Sequence, residues 1–191
     1  MHPIFHTEGI IIGSRNSKEA DKYFWIFSRD FGVIRADARS VRKFDSKLRT
    51  FLSDFSRAKI SLVKTKIGWH ITSVQGLLFL ENAGILGKEI FSKSAKLLQR
   101  LAPPDEKHEE LYEDIVSIFL NKDEEFFVND YKNIELVSAI RILFHLGYIE
   151  HNASVLPFAK GSVSKLLLTD AFIQRRELVK TVNNSLRESH L

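Results

Sequence analysis

The chain has 191 residues and a mass of 22.0 kDa, enough for one domain of ordinary size or two small ones. Hydrophobic residues make up 44% of it and charged residues 27%, which is a globular rather than a disordered composition. It has no cysteine, which excludes disulfides, iron–sulfur clusters, cysteine-based zinc sites and cysteine nucleophiles. No apolar run approaches the ~20 residues that a membrane-spanning helix requires.

The net charge of +4 is divided unevenly along the chain. Residues 1–75 contain 14 Lys and Arg against 7 Asp and Glu, whereas residues 76–191 contain 14 against 17. The two parts therefore have net charges of +7 and −3. Such an asymmetry indicates a polyanionic partner for the basic half.

Five short strands are predicted in the basic half. Runs that are rich in β-branched or aromatic residues, or that alternate between apolar and polar residues, lie at 9–13, 23–27, 33–39, 58–66 and 68–74. Residues 46–52 indicate a short helical or irregular piece between the third and fourth runs. Five strands with one longer excursion favour a small closed barrel of the OB type. An SH3-like barrel is the nearest rival, and periodicity alone does not separate the two.

Alternation assigns faces to two of these runs. In the third run it places Arg35 and Arg39 on one face and small apolar residues on the other. In the fourth run it turns Ala58, Ile60 and Leu62 toward the core. The second run is aromatic-rich, and three of its residues are interpreted as core: Phe24, Trp25 and Phe27.

The acidic half predicts helices. Apolar residues recur at helical spacing over 86–101, 108–119 and 134–144. Pro103 and Pro104 end the first of these helices, and Gly147 ends the third.

After an irregular stretch at 150–161, a last helix is predicted from about Ser164 to the end of the chain. Its apolar side consists of Leu168, Phe172, Val179, Val182 and Leu186. We therefore expect an α+β chain with an OB-type barrel at 1–78 and an all-α domain at 79–191.

The densest positive charge lies between Arg35 and Arg49, opposed by Asp37 and Asp45. Phosphate binding requires cations spaced along a nucleic-acid backbone, and counterion release then drives association. We expect the phosphate contacts to be made by Arg35, Arg39, Arg42, Lys43, Lys47, Arg49, Lys64 and Lys66. Bases could stack on Phe44, Phe51 or Trp69. The alternative is a solvated strand edge, where lysines discourage pairing between sheets.

Several short segments of the chain together form a recognisable pattern. They are T-E-G-I-I-I-G-S-R at 7–15, E-A-D-K at 19–22, F-G-V-I-R-A at 31–36, A-R-S-V-R-K at 38–43, S-K-L-R at 46–49, Leu52 with Phe55, F-H-L-G-Y at 144–148, R-E-L at 176–178 and S-H-L at 189–191. This pattern resembles that of the RecO family of recombination-mediator proteins. The resemblance covers most of the chain and is most specific over residues 31–55.

The chain departs from the family pattern in three places. Ser40 occupies the position before the basic cluster where glycine is usual. A short link without cysteine, residues 149–161, takes the place of the four-cysteine zinc module that many members have after the L-G-Y turn. Residues 105–135 contain 11 acidic and 3 basic side chains, where relatives have a basic and apolar surface for the acidic tail of single-strand-binding protein.

The resemblance implies a DNA repair and recombination factor that is not an enzyme and needs no cofactor. Such proteins bind single- and double-stranded DNA and promote strand annealing. With a RecR-type partner they help recombinase replace single-strand-binding protein on gapped DNA. It also implies a cytoplasmic, nucleoid-associated protein of a bacterium.

Enzymatic and metal-binding alternatives have little support in the sequence. Phosphate-binding glycine loops, the zinc-protease H-E-x-x-H and the hydrolase G-x-S-x-G motif are all missing. His145, His151 and Glu150 could together form a metal site, although such histidines are more often structural. The main alternative function is a protein-interaction adaptor that acts through the acidic helical half.

Overall fold

The computed structural model describes residues 3–120, 122–150 and 152–188. The strands are β1 (Ile4–Asn16), β2 (Lys22–Ser28), β3 (Gly32–Ala38), β4 (Arg57–Thr65) and β5 (Gly68–Leu77). The helices are α1 (Gly84–Leu101), α2 (Glu109–Phe119), α3 (Glu124–His145), α4 (Leu156–Ala159), α5 (Lys165–Ile173) and α6 (Arg175–Glu188). These elements confirm the predicted α+β class, with strands first and helices after them.

The five strands form a closed barrel in the order β1-β2-β3-β5-β4, and β4 pairs back onto β1. Neighbouring strands are antiparallel, except that β3 and β5 run parallel. This strand order, with a long connection between β3 and β4, confirms the OB-type barrel. The connection at 46–52 consists of turns rather than a helix.

The barrel interior is apolar because alternate strand residues turn inward. As predicted, Ala58, Ile60 and Leu62 of β4 are buried in this core. Near one end of the barrel the ring of Trp69 lies 5.5 Å from that of Phe5 and 5.0 Å from that of Phe31. Because these side chains fill the interior, any binding surface lies on the outer faces of the strands or on the loops between them.

The described chain divides into two compact units. The first comprises residues 1–79 and 98–109, and the second comprises residues 80–97 and 110–191. Within the first unit, the Gln99 side chain donates a hydrogen bond to the carbonyl of Ile12 at 2.5 Å. The Asp105 amide donates to the carbonyl of Val33 at 3.1 Å, so residues after α1 are held against the barrel strands. The domain boundary expected between residues 78 and 79 stays a prediction.

The helical prediction needs one correction at the carboxyl-terminal end. The single helix expected from Ser164 is two helices, α5 and α6, which Gln174 separates. The apolar side expected of one continuous helix is only partly covered, since Leu168 and Val182 are buried whereas Phe172 is 65% exposed. The irregular stretch at 150–161 contains the single turn α4.

The second unit has a buried cation that joins three parts of the chain. Arg141 of α3 is fully buried and donates hydrogen bonds to the carbonyls of Phe158 and Gly161. Its guanidinium also lies 3.4 Å from the carboxylate of Asp114, which in turn lies 2.7 Å from the His145 ring. Burial lowers the pKa of Arg141, and the charge of Asp114 opposes that shift.

Candidate nucleic-acid interface

The β3–β4 loop, residues 39–56, holds most of the predicted phosphate ligands. All five of its candidate cations are exposed to solvent: Arg39, Arg42, Lys43, Lys47 and Arg49. Phe44, which lies among them, is 97% exposed. The loop therefore presents positive charge together with one open aromatic ring.

Hydrogen bonds attach this loop to the β1–β2 loop, residues 17–21. The Arg42 guanidinium donates to the carbonyl of Glu19 at 2.7 Å, and its backbone amide donates to that of Ala20 at 3.0 Å. The Ser40 amide donates to the Asp21 carboxylate at 2.7 Å. Arg42 is thus a structural residue of the loop as well as a candidate ligand.

A shallow groove of about 330 Å³ lies where these loops meet β2. Its lining combines three cations with two apolar side chains: Lys22, Arg42, Arg49, Val41 and Leu52. Concentrated positive charge beside apolar surface suits a phosphate backbone with sugars attached. Lys22 was missed from the sequence because it lies at a strand start, outside the dense basic segment.

The outer face of β2 and β3 presents two aromatic rings beside a cation. Trp25 pairs in register with Arg35, and Tyr23 pairs with Asp37. The Tyr23 and Trp25 rings meet edge to face at 5.4 Å, and the Arg35 guanidinium lies 5.3 Å from the Tyr23 ring. The interpretation of Trp25 as a core residue is therefore wrong, whereas Phe24 and Phe27 are fully buried as predicted.

Lys64 and Lys66 are exposed but are not part of the β3–β4 loop. The Lys64 ammonium lies 4.7 Å from the Trp69 ring and 3.4 Å from the Asp105 carboxylate. The Trp69 ring packs against Phe31 of the β2–β3 turn. In the sheet, Lys64 pairs in register with Trp69 of β5, and Trp69 pairs with Ala36 of β3, so one strand lies between Lys64 and the strand that leads into the basic loop.

Two of the three aromatic stacking candidates remain accessible. Phe44 is almost fully exposed and Phe51 is 41% exposed. Trp69 is only 5% exposed, and its indole N–H donates to the Asp105 carboxylate at 3.1 Å. The suggestion that bases stack on Trp69 is therefore wrong.

The acidic side chains of residues 105–135 form several ion pairs within their own units. Lys107 lies 2.7 Å from Glu109, and Lys160 lies 2.8 Å from Glu110. These hydrogen bonds lower the pKa of each glutamate and raise the pKa of each lysine. Pairing of this kind reduces the negative charge that this part of the chain offers to a partner.

The metal site considered from the sequence has no geometric support in the described residues. His145 is bound to Asp114 rather than turned toward Glu150, and His151 lies outside the described ranges, as does the S-H-L segment at 189–191. Among residues 3–120, 122–150 and 152–188, no group of three or more His, Asp or Glu is arranged to hold a metal ion. In the same ranges, no helix is both long enough and apolar enough to cross a membrane.

Comparisons with known proteins show similarity to proteins described as RecO. A family model described as recombination protein O N terminal matches residues 1–78. A DNA repair protein RecO of Desulfitobacterium hafniense is 27% identical over 151 residues, which is 76% of this chain and 52% of the relative. Two DNA repair proteins RecO of Dehalococcoides mccartyi are 28% identical over 116 residues (59% of this chain, 46% of the relative) and 35% identical over 71 residues (37% and 28%). The chain spans about half, or less, of the length of these relatives.

Proposed function

Residues 1–78 match the RecO amino-terminal family model, and from that similarity we propose that this chain is a DNA repair and recombination protein of the RecO family whose barrel binds DNA. It would contact single- and double-stranded DNA, promote annealing, and help to load recombinase on gapped DNA covered by single-strand-binding protein. A RecR-type protein would be its partner in that last step.

The observation that supports DNA binding is the exposed cationic β3–β4 loop. Five Lys and Arg side chains reach solvent from one loop, while the hydrogen bonds to residues 17–21 hold its backbone. Cations at such spacing neutralise phosphates without reading bases, so sequence preference would be weak. Arg35, Lys22 and the exposed ring of Phe44 would extend the same surface.

The test is the salt dependence of binding to a labelled single-stranded oligonucleotide. With about five phosphates neutralised, log K against log salt should have a slope of about −3.5, since each contact contributes ~0.7. The double variant Lys43→Glu with Lys47→Glu should reduce the slope to about −2. These lysines are chosen instead of Arg42, because Arg42 also holds the loop in place.

A matched control is the double variant Lys132→Glu with Lys180→Glu. Both of these lysines are exposed in the second unit, so the net charge changes equally but away from the barrel. The control should bind DNA within about twofold of the parent, with an unchanged slope. A flat salt dependence, or equal losses in the two double variants, would falsify DNA binding by the loop.

Annealing and partner recognition call for a second assay. Complementary strands coated with single-strand-binding protein should anneal faster when the chain is added, and the Lys43→Glu, Lys47→Glu variant should accelerate annealing less. If coated strands anneal no faster although bare DNA is bound, the mediator role is rejected and DNA binding is retained.

The adaptor alternative stays a prediction with weaker support. Its acidic surface is partly neutralised by the ion pairs of Glu109 and Glu110. Pull-down from nuclease-treated lysate tests this alternative. It would be favoured if the parent chain retained protein partners and if variants changed only in the helical unit failed to retain them.

A further inference from the structure

We propose that Tyr23, Trp25 and Arg35 form a base-stacking platform that gives this chain a preference for single-stranded over double-stranded DNA. The inference rests on the proposed DNA binding and goes beyond it. The basic loop supplies phosphate contacts that either form of DNA satisfies, whereas the platform would accept only unpaired bases.

The geometry of the sheet puts these side chains on one face. Tyr23 and Trp25 are two residues apart on β2, so both turn away from the core, and Arg35 lies directly opposite Trp25 on β3. Both rings are partly exposed, in contrast to the fully buried Phe24 and Ile26 between and beside them. Neither ring belongs to the core cluster, and each keeps part of its surface exposed to solvent, where a ligand can reach it.

Charge complementarity identifies the ligand as a nucleic-acid strand. Arg15 of β1 pairs in register with Tyr23, so cations stand on both sides of the aromatic pair. The Arg35 guanidinium, held 5.3 Å from the Tyr23 ring, would contact a phosphate or extend the stack. Lys22 precedes Tyr23 at the start of β2 and lines the groove that includes Arg42, but its side chain lies with Phe24 on the face opposite Tyr23, so the groove borders the platform without being part of it.

Stacking on side chains separates the two forms of DNA. In a duplex the faces of each base are covered by the neighbouring base pairs, so no face is free to stack on a side chain. In a single strand the faces are open, and stacking on an aromatic ring contributes ~1–3 kcal/mol per base, as judged by alanine substitution. The platform should therefore favour the single strand by about five- to 160-fold, which follows from that range.

The experiment compares three probes with the full chain: an oligo(dT), an abasic strand of the same length, and a duplex. Trp25→Ala should weaken binding of oligo(dT) by about five- to 160-fold and leave the abasic strand and the duplex within about twofold. The salt slope should not change, because no phosphate contact is lost. Equal losses on all three probes, or no loss on any, would overturn the platform.

Fluorescence provides a second measurement that does not depend on the alanine variant folding. The chain has two tryptophans, and Trp69 is buried, so Trp25 should report contact with bases. Oligo(dT) should quench the parent, and neither the abasic strand nor the duplex should. Trp25→Phe should lose the quenching and keep the affinity, since a ring remains.

Quenching by the abasic strand equal to that by oligo(dT) would contradict stacking. If the parent binds all three probes with a steep salt dependence and equal affinity, the platform is rejected and DNA binding stands. If the parent binds none of them, the proposed function itself is rejected.

Discussion

Ser40 adopts a backbone conformation that favours glycine. Its φ is 53°, in the left-handed region, and this is the position where the resembled family usually has glycine. A side chain there costs about 1–2 kcal/mol per residue relative to an unstrained conformation. The Asp21 carboxylate, which accepts a hydrogen bond from the Ser40 amide, holds this turn despite that cost.

We expect Ser40→Gly to raise the free energy of unfolding by about 0.5–1 kcal/mol, because relief of strain exceeds the added flexibility of the unfolded chain. Urea denaturation measures the change. DNA affinity should stay the same, since the cations of the loop are untouched. A loss of stability would show that Ser40 is not strained in solution.

At the level of single elements, sequence patterns predicted where the strands lie, but they predicted the inward and outward faces correctly only for some of them. In β4, polar residues separate Ala58, Ile60 and Leu62, so alternation gave the correct inward face. In β2 the run from Tyr23 to Phe27 is apolar throughout, and such a run has no phase by which an outer Trp25 could be recognised. The same lack of local contrast hid the break between α5 and α6 at Gln174.

The turn between β2 and β3 depends on the close approach of Gly32 to the loop after α1. Gly32 has a φ of +64°, and a Cβ placed there would lie 1.7 Å from the carbonyl oxygen of Glu106. Gly147 has a similar φ of +77° but nothing within 4 Å of its Cβ position. Substitutions at the two glycines therefore distinguish the cost of backbone strain alone from the cost of strain together with a steric collision.

We expect Gly147→Ala to lower the free energy of unfolding by about 1 kcal/mol, the usual cost of a left-handed alanine. Gly32→Ala should cost more than twice as much, because the backbone of the neighbouring loop has to move. Urea denaturation of both variants measures the difference. Equal losses would mean that Glu106 lies farther from the turn than the structure shows.

At the scale of the whole molecule, the composition change near residue 76 indicates where the barrel sequence ends but not what completes it. Residues 98–109 belong with the barrel through contacts such as Gln99 with Ile12 and Asp105 with Trp69. These pairs are far apart in sequence and leave no periodic pattern. For that reason, the return of the chain to its first unit could not be predicted.

A fragment of residues 1–79 should consequently be less stable than the same barrel within the full chain. It would lack the partners of Trp69, Lys64 and Ile12, and each lost hydrogen bond that leaves a buried group unsatisfied costs about 1–3 kcal/mol. Amide hydrogen exchange of β1 and β3 measures this, with faster exchange expected in the fragment. Equal protection in the two proteins would show that residues 98–109 are dispensable to the barrel.

The hydrogen bonds between the β1–β2 and β3–β4 loops have a kinetic consequence. Arg42 and Ser40 fix the cationic loop before any ligand arrives, so little conformational entropy is left to lose on association. Encounter with a polyanion should then be limited by diffusion and electrostatic steering rather than by loop rearrangement. Weakening the hydrogen bond between Asp21 and Ser40 would lower the association rate constant before it changed the preference for one form of DNA.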